Sequence, residues 1–390
     1  MMTRKMISRS WKTLLSASAL GAVLGTAQAA TLLVGSYTEG TASEGIYRYQ
    51  FDTAKGRIEP TPLQVVKTVS PSWLVLSADQ RQLFAVNETP QGHASSFSIS
   101  SNGEIKPLNQ VATQGDEPTH ASLSRDQRYL FVANYAVNPD PGGSLVVIPV
   151  AKDGTLKPVV QQARHKASGV NPERQASNHV HSVVSSPDGK YVFVQDLGAD
   201  KVFAYHYDPK VSHEQPLTPA TPASVQLPAG SGPRHLLFSA DGKHAWLTTE
   251  MSAQVAVFDY KNGTLTQTQL VDYAAGQPVS DKAGAALHAS GDGKYLYVSN
   301  RGTANQLVVF SIDPATAHLK ELQRRPVEGD HPREFSLDPS GRFLLIANQK
   351  SNEIVVVERD PKTGLQMRPG RELEAAVEGD GPAGVEREGR

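Results

Sequence analysis

One pattern of apolar and polar positions recurs six times along the chain. In each copy a short alternating apolar run leads into a polar turn that carries Asp or Ser, and a second run rich in Tyr, Phe and Val follows. Two such runs around a turn predict a β-hairpin. The six copies occupy residues 71–88, 118–135, 179–196, 233–250, 284–301 and 332–349. Their spacing indicates a structural repeat of roughly 50 residues.

A second predicted hairpin follows most copies, for example at residues 144–160, 255–271 and 307–323. Four strands per repeat, without a helical period, are typical of a β-propeller blade. The sequence therefore predicts an all-β fold of four-stranded antiparallel blades arranged around a central channel.

The two ends of the chain complete this arrangement. Residues 31–40 match the second strand of the repeated hairpin, and residues 377–390 match residues 327–342 as far as the turn. Together they predict a seventh blade, closed by N- and C-terminal strands, which would leave no open sheet edge. We therefore expect residues 30–390 to form a single seven-bladed β-propeller domain.

The first 29 residues have a different character. Four basic residues among the first twelve precede an apolar run at 14–25 and an Ala-Gln-Ala motif at 27–29. This order predicts a cleaved secretory signal peptide, with an N-terminal membrane anchor as the alternative. The mature protein is expected in the periplasm or outside the cell, away from the membrane after cleavage.

Composition excludes several classes of function. The net charge of −1 gives no electrostatic reason to expect nucleic acid as a partner. The absence of cysteine excludes disulfides, thiolate nucleophiles and cysteine-ligated metals. The histidines show no H-x-x-x-H pair, so we predict no catalytic metal. No P-loop motif is present, and we predict no cofactor. A monomer is expected.

Comparison of the repeats predicts where a site lies. In a propeller, the start of each inner strand and the end of the next strand lie at the same face, near the mouth of the channel. Some copies carry small or apolar residues at these positions, so blade packing does not require charge there. Others carry residues that can support chemistry: His181, Arg234 and Arg333 at the first position, and Glu88, Tyr135, Glu250, Arg301 and Gln349 at the second.

Simpler interpretations stay open for several of these residues. Arg234 and Glu250 could form only a structural ion pair across one hairpin, and Glu88 and Tyr135 could cap loops. His288 is a further candidate for substrate binding, or a packed core histidine. His235 is expected to point away from Arg234, because successive side chains of a strand alternate.

Five motifs give the chain a family resemblance. These are G-S-Y-T-E-G near the start, H-x-H-S at 179–182, G-P-R-H with T-T-E at 232–250, Y-V-S-N-R-G at 297–302, and the segment 331–351. Together they resemble the seven-bladed propeller lactonases, which include bacterial 6-phosphogluconolactonases and fungal carboxy-cis,cis-muconate cyclases. The resemblance covers essentially the whole mature chain.

The resemblance implies a metal-independent hydrolase that acts on a sugar lactone. It implies a catalytic group consisting of His181, Arg234, Glu250 and Arg301, with Arg333 and Gln349 as ligand-binding residues. Lactone hydrolysis needs a general base to activate water and cations to stabilise the oxyanion. We expect Arg234 and Arg301 to bind the carbonyl oxygen. Either His181 or Glu250 is the base, and a neighbouring Arg, which lowers the basicity of Glu250, favours His181.

The predicted location narrows the substrate. A phosphorylated lactone arises in the cytosol, whereas D-glucono-1,5-lactone arises where glucose is oxidised in the periplasm. We therefore expect a periplasmic gluconolactonase. The alternatives are a 6-phosphogluconolactonase, a muconate-lactonising cyclase, and a non-catalytic propeller that serves as a binding scaffold.

Overall fold

The computed structural model describes residues 29–136, 138 and 141–369. Within this part of the chain, seven antiparallel sheets follow one another in sequence. The predicted signal peptide and the predicted C-terminal strand within 377–390 lie outside it. Among the described residues, no helix is long and apolar enough to cross a membrane.

The first four sheets occupy the N-terminal part of the structure. The first contains β1 (Ala29–Gly35), β2 (Gly45–Asp52), β3 (Arg57–Ile58) and β4 (Gln64–Lys67). The second contains β5 (Pro71–Leu76), β6 (Gln82–Asn87), β7 (His93–Ile99) and β8 (Ile105–Ala112). The third contains β9 (Pro118–Leu123), β10 (Tyr129–Asn134), β11 (Ser144–Pro149) and β12 (Gln161–Ala163). The fourth contains β13 (Val180–Ser185), β14 (Tyr191–Asp196), β15 (Lys201–Tyr207) and β16 (Leu217–Gln226).

Three further sheets repeat the pattern. They contain β17 (Pro233–Phe238), β18 (His244–Thr249), β19 (Gln254–Lys261) and β20 (Thr264–Asp272); then β21 (Gly284–Ala289), β22 (Tyr295–Asn300), β23 (Gln306–Ile312) and β24 (Leu319–Pro326); then β25 (Pro332–Leu337), β26 (Phe343–Asn348), β27 (Glu353–Arg359) and β28 (Gln366–Pro369). A 3₁₀ turn at Val279–Asp281 precedes β21. Each repeated sequence pattern forms the first two strands of a sheet, which confirms the predicted hairpins.

A recurrent turn closes each of these six hairpins. In five of them a serine hydroxyl donates to an aspartate two residues later, as in Ser239 Oγ to Asp241 Oδ1 at 2.6 Å. In the last hairpin the two residue types exchange places, and Ser340 Oγ donates to Asp338 Oδ2 at 2.5 Å. The residue after the turn Asp or Ser has a positive φ in all six hairpins, and four of the six use glycine there. Glycine adopts this conformation without the steric cost that a Cβ imposes.

The hydrophobic core lies between neighbouring sheets, and the ring of sheets closes on itself. Tyr49 and Phe51 of the first sheet pack against Phe343 and Val356 of the last sheet. On its other side the first sheet contributes Ile46 to a cluster with Leu83, Ala85 and Phe97 of the second sheet. The all-β seven-bladed propeller is therefore confirmed.

In the first sheet, β3 and β4 pair with the same edge of β2, and β1 pairs with the other edge. The inner position beside β1 is the one that the sequence assigns to the C-terminal strand. That closing strand stays a prediction.

Two backbone features fix the site positions. Directly after the second strand of each hairpin, a backbone N–H donates back to the segment that leads into the inner strand, as in Glu250 N to Gly232 O at 2.7 Å and Arg301 N to Ala283 O at 2.8 Å. Each inner strand also contains a β-bulge. In β17, Pro233 pairs with Thr249 while His235 pairs with Thr248, so Arg234 is the extra residue. The equivalent extra residues include His181 and Arg333. A bulge redirects a side chain out of the regular alternation.

Candidate active site

The carboxylate of Glu250 is the centre of a buried cluster of charged side chains. Its Oε1 accepts a hydrogen bond from Arg174 Nη2 at 2.6 Å. Its Oε2 lies 3.1 Å from Arg234 Nε and 2.8 Å from Arg301 Nη2. His181 Nε2 is 3.6 Å from the same oxygen. The structure therefore brings together the four residues predicted as the catalytic group, and adds a third arginine.

This environment keeps Glu250 ionised. Burial alone would raise the pKa of its carboxyl group, because Glu250 is only 4% exposed. The nearby charges of Arg301, Arg174 and Arg234 outweigh that effect and hold the pKa well below its ordinary value of 4.5. Glu250 is thus a stable anion and a weak base.

His181, in contrast to the ionised Glu250, is held in its neutral form. Burial, together with the charge of Arg234, lowers its pKa well below 6.5, although Glu250 acts in the other direction. The imidazole is therefore neutral at neutral pH. Its Nδ1 makes no hydrogen bond to any residue that the structure describes. A neutral imidazole on the cavity wall can take a proton from a bound water molecule.

Arg234 is a buried cation at the same place. Its side chain is almost fully buried, and burial together with the charges of Arg301 and Arg333 lowers its pKa to about 10. It still carries its charge at neutral pH. The bulge at Arg234 directs this side chain toward the cavity.

A cavity opens beside the cluster at the mouth of the channel. The polar residues that line it include Tyr37, His181, Arg234, His235, Arg333 and Gln349. Glu250 and Arg301 are not among the lining residues; Glu250 contacts both Arg234, which lines the cavity, and Arg301. A ligand in the cavity would therefore face His181 and Arg234. The position of Arg301 favours a role in holding Glu250 over the predicted direct contact with a carbonyl oxygen.

Two of the predicted binding residues, Arg333 and Gln349, line this cavity, and a third, Glu88, contacts Arg333. Arg333 Nη2 is 3.6 Å from Glu88 Oε1, and Tyr37 donates its hydroxyl to Glu88 Oε2 at 2.9 Å. The Arg333 guanidinium also lies 5.8 Å from the centre of the Tyr37 ring. Gln349 lines the cavity directly. This part of the site combines a cation with a carboxylate that offsets its charge.

His235 lies inside the site, so its expected orientation away from Arg234 is wrong. It lines the cavity beside Arg234, whose Nη1 is 3.3 Å from His235 Nε2. Its ring lies 5.3 Å from the His181 ring and 5.6 Å from that of His120. The bulge at Arg234 explains the difference, because two residues there oppose one and simple alternation no longer applies.

His288 does not reach this cavity, in contrast to its predicted contact with substrate. Its Nε2 lies 2.7 Å from Glu334 Oε1, and its ring packs against Phe335. It lines a separate cavity with the turn residues Asp292 and Ser340. The reason is its place in the inner strand, four residues before the turn and thus toward the opposite face.

Arg174 is the functional candidate that the sequence analysis missed. It belongs to the polar segment 161–179, which interrupts the repeat and therefore has no equivalent position in other blades. Besides Glu250, its Nη2 contacts the hydroxyl of Tyr135 at 3.0 Å. The predicted site residue Tyr135 thus joins the cluster through Arg174. The one available signal was an arginine within a polar segment that interrupts the repeat.

Comparison with known proteins adds an independent line of evidence. A family model described as lactonase, 7-bladed beta-propeller, matches residues 31–379. A solved structure of Pseudomonas aeruginosa periplasmic gluconolactonase, PpgL, is 51% identical, with a TM-score of 0.85, and the match covers 89% of this chain and 96% of that one. A 6-phosphogluconolactonase of Formosa agariphila is 34% identical over 88% of this chain and 96% of its own length. The corresponding protein of Bacillus subtilis is 32% identical over 85% of this chain and 91% of its own length.

Proposed function

Because the chain belongs to the seven-bladed β-propeller lactonase family, we propose that it hydrolyses D-glucono-1,5-lactone to gluconate. The observation that carries this proposal is the pairing of a neutral His181 with a cationic Arg234 on the wall of one cavity. These are the two groups that ester hydrolysis requires, a base for water and a cation for the developing oxyanion.

His181 acts as the general base. The neutral imidazole accepts a proton from a water molecule in the cavity while the water oxygen attacks the lactone carbonyl carbon. The tetrahedral intermediate then collapses, the bond from that carbon to the ring oxygen breaks, and the proton on His181 passes to the ring oxygen. The product is the open-chain acid, which ionises to gluconate, and the imidazole returns to its neutral state.

Arg234 stabilises the intermediate. As the carbonyl oxygen becomes negative, the buried guanidinium interacts with it more strongly than with the neutral ester, and such differential binding lowers the barrier. Glu250 holds Arg234 through its Nε and Arg301 through its Nη2. It acts by orientation, because both of its oxygens are already bound to guanidinium groups and its basicity is low.

Two observations support a substrate without phosphate. The similarity to the P. aeruginosa periplasmic gluconolactonase is higher than that to either 6-phosphogluconolactonase. Glu88 also lies beside Arg333, so it reduces the positive charge that a phosphate group would need. With the signal peptide predicted over residues 1–29, we place the reaction in the periplasm.

A 6-phosphogluconolactonase is the second candidate. Its support is the identity of 34% and 32% to two proteins with that activity in their names, together with Arg333 on the cavity wall.

The test is a direct assay of the purified mature protein. Freshly dissolved D-glucono-1,5-lactone is followed by acid release in weak buffer and compared with its spontaneous hydrolysis. We expect strong acceleration, and a higher kcat/KM than for 6-phosphogluconolactone measured in parallel. A preference for the phosphorylated substrate would favour the second candidate, and no acceleration with either lactone would overturn the proposed hydrolysis.

A further inference from the structure

The segment 161–179 reaches the buried cluster through one side chain. Its Arg174 contacts both Glu250 and Tyr135, although the segment runs from the last strand of the third sheet to the start of the fourth and Glu250 follows β18 of the fifth. We propose that Arg174 is a positioning residue for catalysis, through which this segment orients Glu250 and thereby Arg234. This inference rests on the proposed lactone hydrolysis and adds a residue to its machinery.

Hydrogen bonds hold the backbone of Arg174 in place. Asn171 Oδ1 accepts hydrogen bonds from the backbone N–H groups of Glu173 and Arg174, at 2.9 and 3.0 Å. Gln175 N donates to Asn171 O, and the buried Gln175 side chain donates to Leu197 O at 2.9 Å. The turn that presents Arg174 is therefore fixed to the end of β14.

The start of the segment is also fixed to the propeller, through His165. His165 Nδ1 lies 2.9 Å from Asp196 Oδ2, and its Nε2 lies 2.9 Å from the Tyr205 hydroxyl. The ring stacks on Phe203 with 3.6 Å between centroids. These buried contacts tie the segment to the fourth sheet, whose inner strand supplies His181.

Arg174 completes the set of contacts that hold the Glu250 carboxylate. Arg234 and Arg301 both bind Oε2, whereas Arg174 binds Oε1. Contacts to both oxygens fix the rotation of the carboxylate plane, on which the direction of the Arg234 hydrogen bond depends. Arg174 is also one of the charges that lower the pKa of Glu250.

The test compares R174A and R174K with the wild-type enzyme on the active lactone. We expect R174A to lower kcat by roughly 10- to 100-fold, the size of effect that small misplacements of catalytic groups produce, with a smaller change in KM. Loss of one cation raises the pKa of Glu250, and a protonated Glu250 no longer holds Arg234, so the acidic limb of the pH profile should move to higher pH. R174K should recover part of kcat because it restores the charge.

Chemical rescue separates positioning from a general structural role. The Arg174 side chain is 37% exposed, so free guanidinium ion, added well below denaturing concentrations, should restore part of the activity of R174A. The matched control is R164A, in the same segment, because Arg164 Nη1 donates only to the backbone oxygens of Pro141 and Gly142 among its described contacts. We expect R164A to keep kcat and to show no response to guanidinium.

Two results would overturn the inference. One is a kcat of R174A within about twofold of wild type. The other is a loss of kcat without a shift of the acidic limb and without rescue by guanidinium. If R174A does not fold, R174K and R174Q carry the same comparison. Because wild-type activity is measured first, a protein that hydrolyses no lactone contradicts the proposed function, whereas an active protein unaffected by R174A contradicts only this inference.

Discussion

Substitution of Arg234 by glutamine should lower kcat for lactone hydrolysis by roughly 10²- to 10³-fold, the cost typical of losing one oxyanion-stabilising group. Arg234 is a fully buried cation on the cavity wall, and glutamine retains a hydrogen-bond donor without the charge. We expect KM to change less than kcat, because the charge on the carbonyl oxygen develops only in the transition state. Steady-state kinetics on the active lactone measure both.

A second buried arginine provides the control for this substitution. Arg359 is also buried, but it contacts Tyr297 and Gly341 and lines the cavity on the opposite face. R359Q should lower the melting temperature while the folded enzyme keeps its kcat. Equal losses of kcat in R234Q and R359Q would contradict a specific role for Arg234, as would an R234Q variant with nearly full activity.

Substitution of His181 by asparagine should lower kcat by roughly 10²- to 10⁴-fold, the range attributed to a general base. The pH dependence of the wild-type enzyme tests the same role. A base works only when unprotonated, and the pKa of His181 is held well below 6.5 by burial and by Arg234. Activity should therefore persist as the pH falls through 6.5 and decline only under more acidic conditions.

His288 supplies the matched control. Its ring packs against Phe335 and its Nε2 contacts Glu334, which lines the active-site cavity, but His288 itself lines only the cavity at the opposite face. H288N should therefore retain kcat and the wild-type pH profile. An acidic limb centred near 6.5, or an H181N variant as active as H288N, would show that another group is the base.

The repeat predicts much of this architecture because each copy contains the apolar alternation that packs one blade against the next. The alternation of the hairpin strands and the polar turns at Asp188, Asp241 and Asp292 identify the blades, and equivalent positions then bring His181, Arg234, Glu250 and Arg301 to one face. Residues at equivalent positions of different blades lie close together around the channel, so the repeat alone predicts that they are neighbours.

The orientation of His235 and the position of Arg174 could not be predicted from the repeat, for physical reasons. A bulge adds one residue to a strand without a characteristic sequence, so counting by twos places His235 on the wrong side. Arg174 comes from a segment outside the repeat, and its position depends on tertiary contacts such as those of Gln175 and His165. Only the folded backbone shows that it reaches Glu250.

The bulges in the inner strands also bear on how this scaffold could be redesigned. Because the extra residue of each bulge lies outside the regular ladder, its side chain is largely uncoupled from sheet pairing. Ser72 and Thr119 occupy two such positions on the cavity wall, in blades that carry no charge there. Libraries at Ser72, whose hydroxyl bonds to no described residue, would vary the shape and polarity of the pocket at low cost to folding. Thr119 Oγ1, in contrast, donates to His181 O, so its replacement would also affect the next inner strand. The cavity could thus be reshaped without replacing His181, Arg234 or Glu250.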